Sequence, residues 1–219
     1  AQSNVVLNTI VAEAFCEACD ILENADNFDL AVHDLIKKYA TEHQRIIFNG
    51  NGYSDEWVAE AEKRGLPNIK SMVEAIPQYV APENVKAFEK FGVFTKAELE
   101  SRVEIEYETY SKTINIEARA MIDIAGKQII PAVIKYTTVL ANSLTAVKTA
   151  CADADVSVQA ELLTETSDLL SDAKTALAKL TDVTDKAGEM EEGAVQAAYY
   201  RDEVKAAMDE LRAPVDKLE

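Results

Sequence analysis

Residues 103–147 read VEIEYETYSKTINIEARAMIDIAGKQIIPAVIKYTTVLANSLTAV, and this stretch decides the fold class. Its apolar side chains recur every three or four positions, the spacing that places them on one face of an α-helix. Pro131 lies inside the pattern without turn residues around it, so we expect the helix to bend there and continue. The pattern predicts one helix from about residue 95 to residue 152, roughly 85 Å long at 1.5 Å per residue.

Two further long helices are predicted after the turn sequence CADADVS at 151–157. The first carries a heptad-like series, and the second follows a break from Gly188 to Gly193. Three long helices with short connections indicate an all-α protein, with an antiparallel helical bundle or an extended helical hairpin. The two series are Leu162, Thr166, Leu169, Ala173, Ala176, Leu180, Val183 and Ala187, then Ala197, Val204, Met208, Leu211 and Val215.

The first 94 residues predict shorter helices, so we divide the chain into a short-helix region, 1–94, and a long-helix region, 95–219. Ser54 is a candidate N-cap, and Ser71 with Glu74 and Thr95 with Glu98 have the spacing of capping boxes. Pro82 fits a first helical turn, and Gly65 and Gly92 fit helix ends. A first helix is expected to bury Val6, Ile10, Val11, Ala14, Phe15, Ala18, Ile21 and Leu22, and a second, from about Phe28, turns Val32, Leu35, Ile36 and Tyr39 inward.

Composition limits the classes of partner and the compartment. The net charge is −17, so a nucleic acid backbone would be repelled, and nucleic acid is not an expected partner. No run approaches the roughly 20 consecutive apolar residues of a membrane span, so no membrane contact is expected. Three cysteines do not make a disulfide framework, which fits a cytoplasmic protein. Residues 153–219 hold 17 acids and 7 bases, an excess that we interpret as a solvated surface.

The segment FNGNGYSDEW at 48–57 raises the alternative of a phosphate-binding loop, because glycine-rich turns before a helix can bind anions. Asp55 and Glu56, however, occupy the positive end of the following helix, and no lysine lies in the loop. We therefore interpret Asn49 to Gly52 as a tight turn that uses positive φ angles.

Other candidate site residues are better explained by packing. Cys16 and Cys19 form a CxxC pair inside a predicted helix, where we expect buried apolar cysteines and not a redox pair. His33 and His43 share another helix but lie about 15 Å apart, too far to bind one metal ion. Aromatic side chains are expected in helix packing: Trp57, Tyr107, Tyr110, Tyr136, Tyr199 and Tyr200.

No nucleophile, base and orienting group come together in the sequence. We therefore predict no catalytic, cofactor-binding or metal-binding residue in this chain.

Four segments resemble the C-terminal part of type III glutamine synthetases: LNTIVAEAF at 7–15, RIIFNGNGYSDEWVAEAEKRGLPN at 45–68, FEKFGVFTKAELESRVEIEYETYSKTINIEA at 88–118 and QIIPAVIKY at 128–136. The resemblance covers most of residues 7–147 and is looser after residue 150. It implies a parent enzyme that joins ammonia to glutamate with ATP and Mg²⁺ or Mn²⁺, in ring-shaped homo-oligomers. The family's catalytic sheet lies upstream of the matching region, so no catalytic or ligand-binding residue is carried onto a position here.

The resemblance implies a C-terminal helical segment that is structural or involved in oligomerisation and inactive alone. Its expected partners are the upstream catalytic domain and neighbouring subunits. In the whole subunit the helix at 7–22 is expected to lie against the catalytic sheet, and without that sheet its face would be exposed or paired in a dimer. Two alternatives fit the same periodicity, a stand-alone helical adaptor for other proteins and a ligand-binding bundle.

Overall fold

The protein is all-α in a computed structural model that describes residues 2–219, and no strand occurs in that range. The chain forms two compact units, one up to Val103 and one from Glu104 to Glu219. The helices are α1 (Gln2–Leu22), α2 (Phe28–Glu42), α3 (Asp55–Lys63), α4 (Met72–Ala75), α5 (Pro82–Lys90), α6 (Lys96–Ile124), α7 (Ile130–Ala150), α8 (Ser157–Glu189), α9 (Ala194–Tyr199) and α10 (Lys205–Leu218). Short 3-10 helices span Gln44–Ile46 and Ile76–Val80, and π-helical segments span Ala125–Ile129 and Tyr200–Val204.

The helix ends of the first unit follow the predicted capping residues. Ser54 accepts a hydrogen bond from the Trp57 amide at 3.3 Å, and Ser71 accepts one from the Glu74 amide at 3.2 Å. Gly65 and Gly92 take φ angles of 70° and 62° just after α3 and α5, a conformation that glycine adopts without steric cost. The predicted caps and stops are therefore confirmed.

At the start of α6, Thr95 and Glu98 form both reciprocal hydrogen bonds of a capping box. Thr95 Oγ1 accepts the Glu98 amide at 3.3 Å, and the Glu98 carboxylate accepts the Thr95 amide at 2.8 Å and the Thr95 hydroxyl at 2.9 Å. The backbone hydrogen bond from Thr95, followed by the bond from its hydroxyl, lowers the pKa of Glu98 below its ordinary value of 4.5. The charged form of Glu98 is thus favoured by folding.

This lowered pKa predicts how pH affects stability. Because the folded pKa lies below the unfolded one, the contribution of Glu98 is complete above the unfolded value and is lost as pH falls through the folded value. We expect the Glu98→Gln variant to be less stable than the wild type at neutral pH and equally stable at the acidic end of that window. Urea unfolding of both proteins across pH measures this difference. A constant difference down to the lowest pH would contradict the role of the charge.

The core of the first unit is small. Its buried apolar residues are Leu35, Val73, Ile76, Phe88 and Leu99. Within this unit α1 packs against α2 and α5, and Lys90 of α5 forms an ion pair with Glu13 of α1 at 2.7 Å. In α2, Leu35 is buried as predicted, whereas Ile36 is exposed, which corrects that part of the prediction.

The second unit is a three-helix bundle in which α8 packs against α7 and α10. The turn at 151–156 reverses the chain between α7 and α8, and ion pairs join α6 to α8 and α8 to α10: Arg119–Asp185 at 2.8 Å and Lys179–Glu210 at 2.6 Å. The core of the bundle comprises Ala118, Ala125, Leu177, Leu180, Val183, Ala187, Tyr200, Val204, Ala207 and Leu211. An antiparallel bundle was one of the two predicted arrangements, and the structure confirms it.

The helix predicted to pass through Pro131 does continue, from Lys96 to Ala150. A π-helical segment at Ala125–Ile129 precedes the proline, which occupies the first turn of α7. Inside a helix a proline donates no backbone hydrogen bond and its ring crowds the preceding turn, and here that turn is π-helical. The local change of helix type therefore accommodates Pro131 without breaking the continuous helix Lys96–Ala150, which we call the rod.

Candidate functional site

The loop that raised the phosphate-binding alternative is built around two stacked rings. Phe48 and Trp57 lie with ring centroids 4.1 Å apart, so Trp57 anchors its helix as predicted. A Cβ atom at Gly50 would come within 2.6 Å of Phe48 Cζ. Positive φ angles occur at Gly65, Gly92 and Gly193 and not within 49–52, so the predicted use of positive φ in this loop is wrong. Close approach to an aromatic ring is the reason for glycine at position 50.

Arg64 connects this loop to α3 through hydrogen bonds, a role that was not predicted from the sequence. Its Nη1 donates to the Ile47 carbonyl at 3.0 Å, and its Nε donates to Glu60 Oε1 at 2.6 Å. The hydrogen bond from Arg64 is the main cause that lowers the pKa of Glu60. The guanidinium also lies 5.6 Å from the Trp57 ring centroid. These contacts join Arg64 to the loop and to α3, which supports a structural role for its guanidinium.

The cysteines and histidines do not form a shared site among residues 2–219. Cys16 and Cys19 lie in the interior of α1, but Cys19 is exposed, so the prediction that both are buried is wrong. His33 is exposed on α2, and His43 caps its end. No group of three residues able to bind a metal ion occurs within this range.

Tyrosines contribute to packing in the bundle, with one exception. Tyr107 and Tyr200 are buried, and burial raises the pKa of both phenols. Tyr110 and Tyr199 pack against the edge of the core. Tyr136 instead lies half exposed on α7, so its predicted place in helix packing is only partly right. The raised pKa keeps the hydroxyls of Tyr107 and Tyr200 protonated at neutral pH, which is unsuited to a general base.

The most unusual surface of the first unit is the apolar face of α1. Most of the face predicted to be buried is exposed: Phe15 is 67% exposed, and Ile10 and Val11 are at least half exposed, as is Leu7 beside them. The other members Val6, Ala18 and Leu22 are half-buried. The opposite side of the helix, turned inward, carries the buried Thr9 and the half-buried Glu13 and Cys16. A helix that directs its more polar side inward and its apolar side outward lacks a partner for the apolar side.

A groove lies beside this face. It has a volume of about 450 Å³, and Thr9, Gln78 and Asn84 are among its few polar side chains. Its floor and walls come from α1, α4, the following 3-10 helix and α5. Because the groove and the exposed face share Leu7 and Ile10, they form one continuous apolar surface. Its apolar members are Val6, Leu7, Ile10, Met72, Ala75, Ala87 and Phe88.

One helix has the length and composition to cross a membrane, the rod Lys96–Ala150. Its most apolar stretch has a mean hydropathy of 1.2, and only 11% of that stretch is buried. A single helix of this kind is weak evidence for a membrane span, because core helices of soluble proteins meet the same criteria. The low burial nevertheless identifies α7 as a second incompletely covered surface.

Comparison with known proteins identifies the family. The family model of the glutamine synthetase C-terminal domain matches residues 31–148. A glutamine synthetase of Butyrivibrio fibrisolvens is 36% identical over 196 residues, which are 90% of this chain and 28% of that protein. A type-3 glutamine synthetase of Dictyostelium discoideum is 36% identical over 146 residues, 65% of this chain and 20% of that protein. A glutamine synthetase of Bacteroides fragilis is 29% identical over 203 residues, 91% of this chain and 28% of that protein.

The chain thus spans about a quarter of the length of the curated relatives that it matches. The matched region includes the Phe48–Trp57 loop and most of the rod from Lys96 to Ala150. The family model covers more than half of the chain, and the chain belongs to the glutamine synthetase C-terminal domain family.

Proposed function

We propose that this chain is the C-terminal helical part of a glutamine synthetase and that its role there is structural. In this proposal the enzyme's reaction, which joins ammonia to glutamate with ATP and a divalent cation, is carried out by residues outside this chain. The relatives' names and the matched length support the parent enzyme. The side chains described above supply packing and capping and no arrangement of nucleophile, base and orienting group.

The main support for a structural role is the apolar face of α1, which points outward. Four large apolar side chains of this helix are at least half exposed, while its inward side is more polar. Contiguous apolar surface of this kind marks a contact surface in a soluble protein. We infer that α1 and the adjoining groove pack against the catalytic part of the same subunit. The contact would fix the helical region on the enzyme.

The experiment compares one substitution in two contexts, this chain alone and a longer glutamine synthetase polypeptide that contains it. Phe15→Asp is expected to change the stability of the isolated chain by less than about 0.5 kcal/mol, because the side chain is exposed there. In the longer polypeptide the same carboxylate would be buried without a partner. We expect glutamine formation there to fall about tenfold or more, with loss of amide exchange protection in α1.

Ala12→Asp is the matched control, since Ala12 is exposed on the same helix but outside the apolar face. It should have little effect in either context. Equal behaviour of Phe15→Asp and Ala12→Asp in the longer polypeptide would refute docking through this face. So would amide exchange in α1 that is equally fast with and without the upstream residues.

A further inference from the structure

In the second unit, α10 covers the α7–α8 hairpin over only part of its length and ends at Leu218. Around Leu218 a cleft of about 360 Å³ opens between the helices, and it is lined by side chains from all three: Val133, Tyr136, Leu162, Thr166, Leu169 and Leu218. From this cleft to the turn at 151–156, the seam between α7 and α8 is not covered by α10. The seam extends for about 12 residues per helix, roughly 18 Å.

Each helix carries a stripe along this open seam. The stripe of α7 has alternating spacings of four and three residues, and Val139 within it is 62% exposed. The stripe of α8 has the same spacings, and Val158 and Leu162 in it are exposed. Further along α8, where α10 covers the helix, Val183 at the same heptad spacing as Leu162 and Leu169 is buried, and Ala176 is half-buried. The stripes are Ala132, Tyr136, Val139, Ser143, Ala146 and Ala150 on α7, and Val158, Leu162, Glu165 and Leu169 on α8.

The two helices also differ in charge. From Ile130 to Ala150, α7 contains no acidic residue and two bases, Lys135 and Lys148. From Ser157 to Asp172, α8 contains no base and four acids, Glu161, Glu165, Asp168 and Asp172. Lys148 donates to the carbonyls of Ala152 and Ala154 in the turn, so Lys135 is the base of α7 available to a partner, beside an acidic α8. A partner surface that places an acidic helix against α7 and a basic one against α8 would be complementary.

A second copy of the same hairpin would be complementary in charge if it were oriented so that its α8 lies against α7 of the first copy. If two hairpins stack face to face about a two-fold axis parallel to the helices, α7 of each copy lies against α8 of the other. An axis perpendicular to the helices would instead place the two acidic α8 helices together, which repulsion disfavours. We propose that two copies of this chain pair through the open α7–α8 seam, with their hairpins parallel, to close a four-helix bundle.

The small residues of the α7 stripe suit this arrangement. Ser143, Ala146 and Ala150 permit close approach of a helix from the partner, while Tyr136 and Val139 supply apolar area next to the cleft. The contact joins two subunits, so it does not depend on the docking of α1 within a subunit. Its failure would leave the proposed function intact.

Sedimentation equilibrium of the 219-residue chain tests the pairing. We expect a reversible dimer, and we expect Val139→Glu to raise its dissociation constant about tenfold or more, because the new carboxylate is buried in the contact. Ile134→Glu is the matched control, since Ile134 is 50% exposed on the same helix but outside the stripe. It should leave the constant unchanged. A strictly monomeric chain, or equal effects of the two variants, would overturn the proposal.

Two further measurements identify the partner and the orientation. Val158→Glu, on α8, should weaken the dimer as Val139→Glu does, and circular dichroism should show that both variants keep the helical content of the wild type. Lys135→Glu should weaken a dimer that places α7 against the acidic α8, whereas it would leave a dimer with facing α8 helices as tight or tighter. Unchanged or tighter pairing of Lys135→Glu, dissociation by Phe15→Asp instead of Val139→Glu, or binding of the chain to phosphatidylcholine vesicles that Val139→Glu abolishes would each overturn the proposed pairing.

Discussion

Replacing Leu180 with alanine is expected to lower the free energy of unfolding of the bundle by about 3–5 kcal/mol. Leu180 is 0% exposed and lies on α8 at the centre of the core, among Leu177, Val204 and Leu211. Its removal loses the burial of an isobutyl group and leaves a cavity between three helices, and both effects destabilise the folded state. Long helices can collapse only partly around such a cavity, since their backbones are held by regular hydrogen bonds.

Urea unfolding followed by circular dichroism measures this loss. Leu162→Ala is the control, since Leu162 lies in the same heptad series on the same helix but is exposed in the open seam. It should cost about 1 kcal/mol or less in a monomeric sample. Similar losses for both variants would mean that the core does not lie where the structure places it.

The second large effect is expected in the first unit, where Phe88→Ala should cost about 3–5 kcal/mol of local stability. Phe88 is 4% exposed, and its ring lies 5.6 Å from that of Phe94. The core of this unit has few large buried residues, so one phenyl ring is a large share of it. Phe88 also lines the groove beside α1, and its loss should loosen that helix as well.

Amide exchange resolved along the chain measures this effect separately from the bundle. Exchange should accelerate in α1 and α5 and stay slow in α8 and α10. Phe28→Ala is the control, because Phe28 is exposed at the start of α2. Faster exchange in the bundle to the same extent would show that the two compact units unfold together, contrary to expectation.

Sequence periodicity predicted the helices well because the spacing of apolar residues follows from helix geometry. It predicted burial less well. The stripe from Val6 to Leu22 has the spacing of a buried face, yet Phe15 and its neighbours are exposed, since periodicity shows that a face is apolar and not whether its partner is part of the same chain. The same limit applies to Tyr136 on α7.

Other features had little or no signal in the sequence. The π-helical segments at Ala125–Ile129 and Tyr200–Val204 insert one residue into an otherwise regular helix, and the three-to-four spacing continues on both sides. Arg64 was visible only as part of the RGLPN segment, and its hydrogen bonds to the loop carbonyls depend on tertiary contacts. The Asn-Gly pair was correctly placed in a loop, but its physical reason, the ring of Phe48, required the structure.

We propose that this chain contributes architecture to a glutamine synthetase and that the reaction is carried out elsewhere in the enzyme. Isothermal titration of the purified chain with ATP and Mg²⁺, paired with an assay for ATP-dependent glutamine formation, tests it most directly. We predict no saturable binding and no turnover by this chain alone. Tight binding of the nucleotide or the cation to its side chains, or measurable glutamine formation, would contradict the claim.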